Sequence, residues 1–327
     1  MIGQDHIRRM TTVLSGVTVT AVTDVDADTA QRVGAGIGAT VHPTGEDVIT
    51  DPAVDAVVVC SWGPTHEQYV LAAIEAGKPV FCEKPLATTA DACLRIVEAE
   101  VALGSRLVQV GYMRRYDDAY RALKKVVDSG DLGAPLMMHC THRNAGVGPS
   151  YTREMAITDT AVHEIDMLRW MFGEEIVGTR VLVPRRSANG GELEDPLLLV
   201  FEMAGGALVD VETSVNIRYG YDIRGEVVGE NGTAALGDLS PVTVRLGGQA
   251  SSPVPADWRE RFIRAYDIEF QEWIDSIAGG GQPVGPSAWD GYAAAVVSDA
   301  AVAALHSGDR TAVTLADQPK LYQEGPA

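Results

Sequence analysis

The sequence predicts an α/β chain of two domains: a parallel sheet with helices on both faces, then a C-terminal α/β domain with a large mixed or antiparallel sheet. Three observations predict it. The 327 residues are enough for two sizeable cores. Up to Gly111, short apolar runs alternate with amphipathic stretches. After Gly111, runs rich in β-branched residues succeed one another without intervening helices.

In the first part, residues 17–22, 54–60, 79–82 and 107–110 read as strands. The run at 54–60 is almost unbroken apolar, as a strand buried on both faces requires. Residues 26–36, 66–76 and 88–103 read as helices, the last two stopped by Gly77 and Gly104. In the second part a helix over 118–128 stops near Gly130. Strands are expected over 177–183, 197–201, 207–215, 223–228 and 242–246, and helices over 258–277 and 288–306. The expected division is 1–111 and 112–327. There is no internal repeat.

Composition excludes several classes. A net charge of −19 repels phosphates and argues against a nucleic-acid partner. No segment reaches the ~18 apolar residues of a membrane helix. The first residues lack the basic start and apolar run of a signal peptide. The four cysteines have no metal or redox spacing and read as free thiols, which suits a reducing cytoplasm.

A dinucleotide-binding domain of the Rossmann type opens with a strand, a Gly-rich turn and a helix. This chain opens at Met1-Ile2-Gly3, already inside that turn, with residues 4–14 as the helix. The first strand and the earlier glycines are apparently missing. A start placed too late is the expectation. Loss of a central strand would leave buried unpaired groups costing about 1–3 kcal/mol each, against a total stability of about 5–15 kcal/mol. Asp24 ends the next strand about 20 residues after Gly3, where a carboxylate bonds the adenosine ribose and repels a 2′-phosphate. That favours NAD over NADP. A strand-end turn aspartate is the alternative.

Several segments then match a known family. They are Asp24 after Ala21-Val22-Thr23, the block from Ser61 to Glu67, and the block from Phe81 to Thr89 with Glu83-Lys84-Pro85 inside it. Gln109 to Asp117, His142-Arg143-Asn144, Asp159 to Asp166, Arg218 to Ile223 and Gly285 to Tyr292 complete the set. Together they resemble the glucose–fructose oxidoreductase/inositol dehydrogenase (Gfo/Idh/MocA) superfamily over the whole chain, and within it the inositol-oxidising branch. The resemblance implies NAD-dependent oxidation of myo-inositol to its 2-keto product, and a homotetramer. Another inositol isomer or a sugar remains an alternative substrate, and a silent NAD-binding regulator an alternative class.

Oxidising a secondary alcohol needs a base, a hydride acceptor and a stabiliser for the developing alkoxide. Asp159 and His163 lie four apart at a helix start and share a face, opposite a core stripe of Ala161, Ile165, Leu168 and Phe172. A carboxylate beside an imidazole fixes its tautomer, so His163 is the candidate base. A surface ion pair is the plain alternative. A metal held by His163, Glu164 and Asp166 is disfavoured, because adjacent helical residues diverge. Lys84 follows a strand and precedes Pro85, which restricts its backbone. With only five lysines in the chain, this is not a lysine-rich surface.

The resemblance assigns Lys84, Asp159 and His163 as the catalytic set. It implies substrate contacts from Arg114, Asn144, Tyr219 and Tyr221, and cofactor contacts from Ile2, Gly3, Asp24, Val25, Ser61, Trp62, His66, Glu83 and Met113. Arg114 reads equally as a structural ion-pair residue, and Trp62 as core. Tyr219 and Tyr221, two apart, would share a strand face.

Overall fold

The computed structural model describes residues 2–191, 193–237 and 242–323. In chain order the elements are α1 (Ile2–Thr12), β1 (Ala21–Val22), α2 (Ala27–Ile37), β2 (Thr40–Val41), α3 (Gly45–Thr50), β3 (Val57–Val59), α4 (His66–Glu75), β4 (Val80–Cys82), α5 (Ala90–Leu103) and β5 (Val108–Val110). Then follow α6 (Asp118–Ser129), β6 (Pro135–Arg143), a π-helical turn (Ala156–Ala161), α7 (Val162–Phe172), β7 (Ile176–Leu182), β8 (Leu197–Met203), β9 (Leu208–Ser214), β10 (Asp222–Gly229) and β11 (Thr233–Ala235). The chain closes with β12 (Val244–Leu246), β13 (Gln249–Ser251), α8 (Trp258–Ile277), α9 (Ala288–Ser307), β14 (Thr311–Ala312) and α10 (Lys320–Gln323).

Packing divides the chain into two units. The first contains the described residues of Met1–Tyr112, Tyr266–Ala295 and Leu315–Ala327; the second is Met113–Ala265 with Val296–Thr314. A division at 111/112 by chain order alone therefore differs from the packing. Helices α8 and α9 each contribute residues to both units.

In the first unit the parallel strands form two sheets, β1–β2 and β3–β4–β5. Among the described residues no strand pairs with the other edge of β1 or β3. The paired part of β1 is accordingly two residues long, where the apolar pattern marks six. The helices start and stop on local chemistry. Asp26 caps α2 by accepting from the Asp28 and Thr29 N–H groups, and Thr89 caps α5 through the Ala92 N–H. The core of this unit joins Met10 of α1, Phe81 of β4, and Phe270, Trp273 and Ile274 of α8. The rings of Phe81 and Phe270 lie 4.2 Å apart, and Trp273 meets Phe81 edge-on at 5.6 Å.

The second unit is built on one seven-stranded sheet, in the order β11-β10-β6-β9-β8-β7-β14. All its pairings are antiparallel except β6 with β9. Strand β6, near its middle, is the longest strand the sequence pattern misses; the short β11, β13 and β14 are missed too. Its first residues, Leu136 and Met137, are both exposed, so the alternation of a half-buried strand breaks at its start. The apolar run near 242–246 does not join this sheet. Its described part forms the separate, exposed hairpin β12–β13.

No described helix is long and apolar enough to cross a membrane. Cys82, Cys93 and Cys140 are buried as free thiols, and Cys60 is half-buried.

Replacing Phe270 by Ala removes the ring stacked on Phe81. The expected loss is about 3–5 kcal/mol of unfolding free energy, read by denaturant titration. A loss below 1 kcal/mol would show that this core tolerates the void.

Candidate active site

In the first unit the candidate residues gather at the C-terminal ends of the parallel strands, where open α/β sheets bind ligands. Gly3 opens α1, and a Cβ there would approach Cys60 Cβ to 3.3 Å, so the helix start and the end of β3 pass closely. Ile2 beside it is partly exposed. Asp24 follows β1; its Oδ1 accepts the Asp26 N–H at 3.0 Å, and Val25 next to it is 105% exposed. Trp62 is 79% exposed, which removes the core-packing alternative for this residue. An open indole and an open isopropyl group at strand ends, with a helix N-terminus and a carboxylate, fit a flat cofactor with a pyrophosphate and a ribose.

Other residues are spent on holding loops. Ser61 Oγ and Thr65 Oγ1 are 2.7 Å apart. His66 is buried, its Nδ1 2.7 Å from the Pro85 carbonyl oxygen and its Nε2 3.0 Å from that of Ser61. Its ring therefore ties the loop after β3 to the loop after β4. Glu83 is buried too. Its Oε1 lies 2.6 Å from His6 Nε2, and its Oε2 accepts the Lys84 N–H at 3.2 Å. Gly111 leaves room for this carboxylate, since a Cβ there would stand 3.2 Å from Oε2. Burial works against the charged form of Glu83, but the His6 hydrogen bond and the Lys84 charge outweigh it and hold its carboxyl below the usual range. Lys84 is half-buried and joins Pro85 through a cis peptide bond.

His6 and Arg9, both buried, are the residues sequence reasoning missed here. A signal was present: His6, Arg9 and Met10 form the inward face of α1 at helical spacing, and two of the three are polar.

In the second unit, Asp159 sits in the π-helical turn and His163 at the start of α7. Such widened turns are rare and often mark functional sites. The helix is not amphipathic as its apolar stripe suggests. His163, Glu164, Asp166 and Arg169 are buried along with the apolar positions. Asp159 is half-buried beside Tyr151, whose phenol is pushed up by burial and then by the Asp159 charge. The His163 ring lies 6.3 Å from that of His142.

Arg114 is buried in a cluster behind these rings. It donates to Glu164, to the Tyr120 hydroxyl at 3.3 Å, and lies 3.0 Å from His142 Nδ1. Tyr221 Oη is 3.5 Å from His142 Nε2, with the rings perpendicular. Burial opposes the Glu164 charge, yet Arg114 and His142 hold its carboxyl below the usual range. The ion-pair reading of Arg114 is therefore the one its surroundings favour. His142 is a member that sequence reasoning gave no role, and Glu164 entered it only in the disfavoured metal alternative. Asp166 is paired with Arg115, so Glu164 and Asp166 are both committed to arginines.

Tyr219 and Tyr221 do not share a face. They precede β10 on non-strand backbone, each directly after a positive-φ residue, Arg218 at φ 71° and Gly220 at φ 148°, and are 49% and 4% exposed. Tyr219 donates to Asp222 Oδ2 at 2.5 Å and accepts from Arg143 at 3.0 Å. Asn144 is half-buried, its main chain bonded to Ser214 and Ile217. Met113 is buried.

Two family models cover nearly all of these residues. The NAD-binding Rossmann-fold domain of an oxidoreductase family matches residues 1–112, and the C-terminal α/β domain of the same family matches residues 124–315. The chain belongs to the Gfo/Idh/MocA oxidoreductase family. It is 56% identical to inositol 2-dehydrogenase 3 of Saccharopolyspora erythraea, over 98% of this chain and 95% of that protein. It is 54% identical to inositol 2-dehydrogenase of Ralstonia nicotianae, over 98% and 96%. The crystal structure of myo-inositol dehydrogenase from Lactobacillus casei, in complex with NAD(H) and myo-inositol, superposes with a TM-score of 0.96 at 40% identity, covering 99% of this chain and 97% of that one.

Glu164 gives a signed pH dependence. Its folded value lies below the ordinary glutamate value of about 4.3. The stability it contributes is therefore present above about pH 4.3 and lost as pH falls through the folded value. Glu164→Gln should cost about 3–5 kcal/mol at neutral pH. The gap to wild type in denaturant midpoint should close on acidification. A gap that stays constant to below pH 4 would show that Glu164 is not held as a carboxylate.

Proposed function

We propose that this chain catalyses the NAD-dependent oxidation of myo-inositol to 2-keto-myo-inositol. The observation that carries the reading is identity above 50%, over almost the whole chain, with two inositol 2-dehydrogenases. The residue chemistry supports it. His163, with Asp159 four residues before it, takes the hydroxyl proton. The Lys84 ammonium is the proposed stabiliser of the developing alkoxide charge. NAD, when bound, supplies the hydride acceptor. Gly3 and the start of α1 would hold its pyrophosphate and Asp24 its ribose, with Val25 and Trp62 as further contacts. Asn144 and Tyr219 remain the candidate polyol contacts, while Arg114 and Tyr221 act through His142.

The test is NADH production from a panel of inositols and sugars. Myo-inositol should give the highest kcat/KM. No turnover with any polyol would remove the enzyme reading, and a preferred second isomer or sugar would reassign the substrate. Lys84→Met and His163→Ala should each lower kcat by about 10²–10⁴-fold while NAD binding persists. Wild-type turnover in either variant would take that residue out of the set.

We infer also that the protein is a cytoplasmic homotetramer. Met137 and Leu208, neighbours on β6 and β9, stand exposed on the open face of the large sheet, ready to be covered by another copy. Buried free thiols fit a reducing compartment. Sedimentation equilibrium should give four chains per particle; a monomer at micromolar concentration would refute the assembly.

A further inference from the structure

We propose that His6 and Arg9 are positioning residues for Lys84, acting through the carboxylate of Glu83. The proposal rests on the assignment of Lys84 to the reaction.

A single chain of polar contacts runs through the interior of the first unit. Asp267 on α8 accepts from Arg9 Nε at 3.0 Å. A guanidinium is only a donor. The Arg9 contact with His6 Nδ1 therefore makes that nitrogen an acceptor and leaves the ring proton on Nε2. Nε2 donates to Glu83 Oε1, and Glu83 Oε2 accepts the backbone N–H of Lys84. Each bond fixes the direction of the next.

The side chains have little freedom to do otherwise. His6 is fully buried, its ring 4.4 Å from Phe270 and edge-on to Phe81 at 6.2 Å. The Arg9 guanidinium lies over Tyr266 at 5.1 Å and Phe270 at 5.8 Å. On the far side, the absent side chain of Gly111 gives the Glu83 carboxylate its space.

Stability alone is a weak reason for such a chain, because well-packed apolar residues often replace buried ion pairs without loss. The geometry supplies another. His6 lies one turn inside the helix that opens at Gly3, and the chain ends on the main chain of Lys84. The helix start that receives the cofactor and the residue that meets the reacting oxygen are locked to one another.

The donor count sharpens the test. Glu83 serves two donors with two acceptor oxygens, whereas an amide has one oxygen. Glu83→Gln keeps the shape and must lose one of the two bonds. His6→Leu removes the donor and the acceptor together. His6→Gln restores one of each.

The experiment measures kcat, KM for NAD and KM for the polyol in the full-length protein, with Lys84→Met alongside. Glu83→Gln and His6→Leu should each lower kcat by about 10²-fold, the usual cost of a misplaced catalytic group, with KM for NAD nearly unchanged. The double variant should be no slower than the slower single one. His6→Gln should recover most of the rate. If His6→Leu does not fold, Glu83→Gln and His6→Gln still decide. A wild-type kcat in Glu83→Gln, while Lys84→Met is inactive, overturns this proposal alone. Additive losses in the double variant, or a loss confined to KM for NAD, also overturn it. Full turnover in Lys84→Met overturns the Lys84 assignment, and this proposal with it.

Discussion

A carboxylate in a protein interior must be paired or protonated, since an isolated buried charge costs more than the fold has to spare. Two buried glutamates put this constraint beside the proposed chemistry. Glu83 immediately precedes Lys84, and Glu164 immediately follows His163. Each is paired with a histidine that an arginine also contacts, and Glu164 meets its arginine directly as well. In the first unit the order is Arg9, His6, Glu83; in the second, Arg114 and His142 both meet Glu164. Each carboxylate orders the backbone or the ring beside a proposed catalytic residue, the kind of support by which a site gains precision without adding contacts to substrate.

The two clusters differ in what they fix. Around Glu83 the donor-only arginine sets a direction, and the last acceptor is filled by main chain. Around Glu164 the contacts converge on one ring nitrogen of His142, with Tyr221 at the other. The first arrangement positions a loop. The second positions a ring that sits 6.3 Å from the proposed base. Burial strengthens both, because hydrogen bonds are stronger in a low local dielectric and unpaired members are costly there.

Much of this was legible in the sequence, for physical reasons that are local. Helices capped by Asp26 and Thr89, and a buried strand written in consecutive valines, depend on neighbours in the chain. The positions of Lys84 and Asp24 after strands followed from the same patterns. What the sequence did not yield is non-local. His6 and Glu83 are 77 residues apart, and Arg9 meets Asp267 across 258. The return of α8 to the first unit depends on Phe270 and Trp273 finding Phe81, which periodicity within α8 does not encode. Tyr219 and Tyr221 diverge because Arg218 and Gly220 take positive φ, so a rule for strand residues did not apply.

The same pairing bears on which ligands the second unit can favour. A bare guanidinium prefers carboxylate or phosphate, with which it forms paired hydrogen bonds. Arg114 is neutralised by Glu164, and Arg143 by Glu212, with Asp222 at 3.3 Å. Arg115 is matched by Asp166 and Arg169 by Glu175. Arginines that would otherwise recruit an anionic sugar acid or sugar phosphate are thus cancelled by carboxylates, and the protein's net charge of −19 works in the same direction. On the proposed assignment, neutral donors and acceptors such as Asn144 would then dominate recognition. A polyol, which has many hydroxyls and no charge, is the ligand class for which that environment costs least.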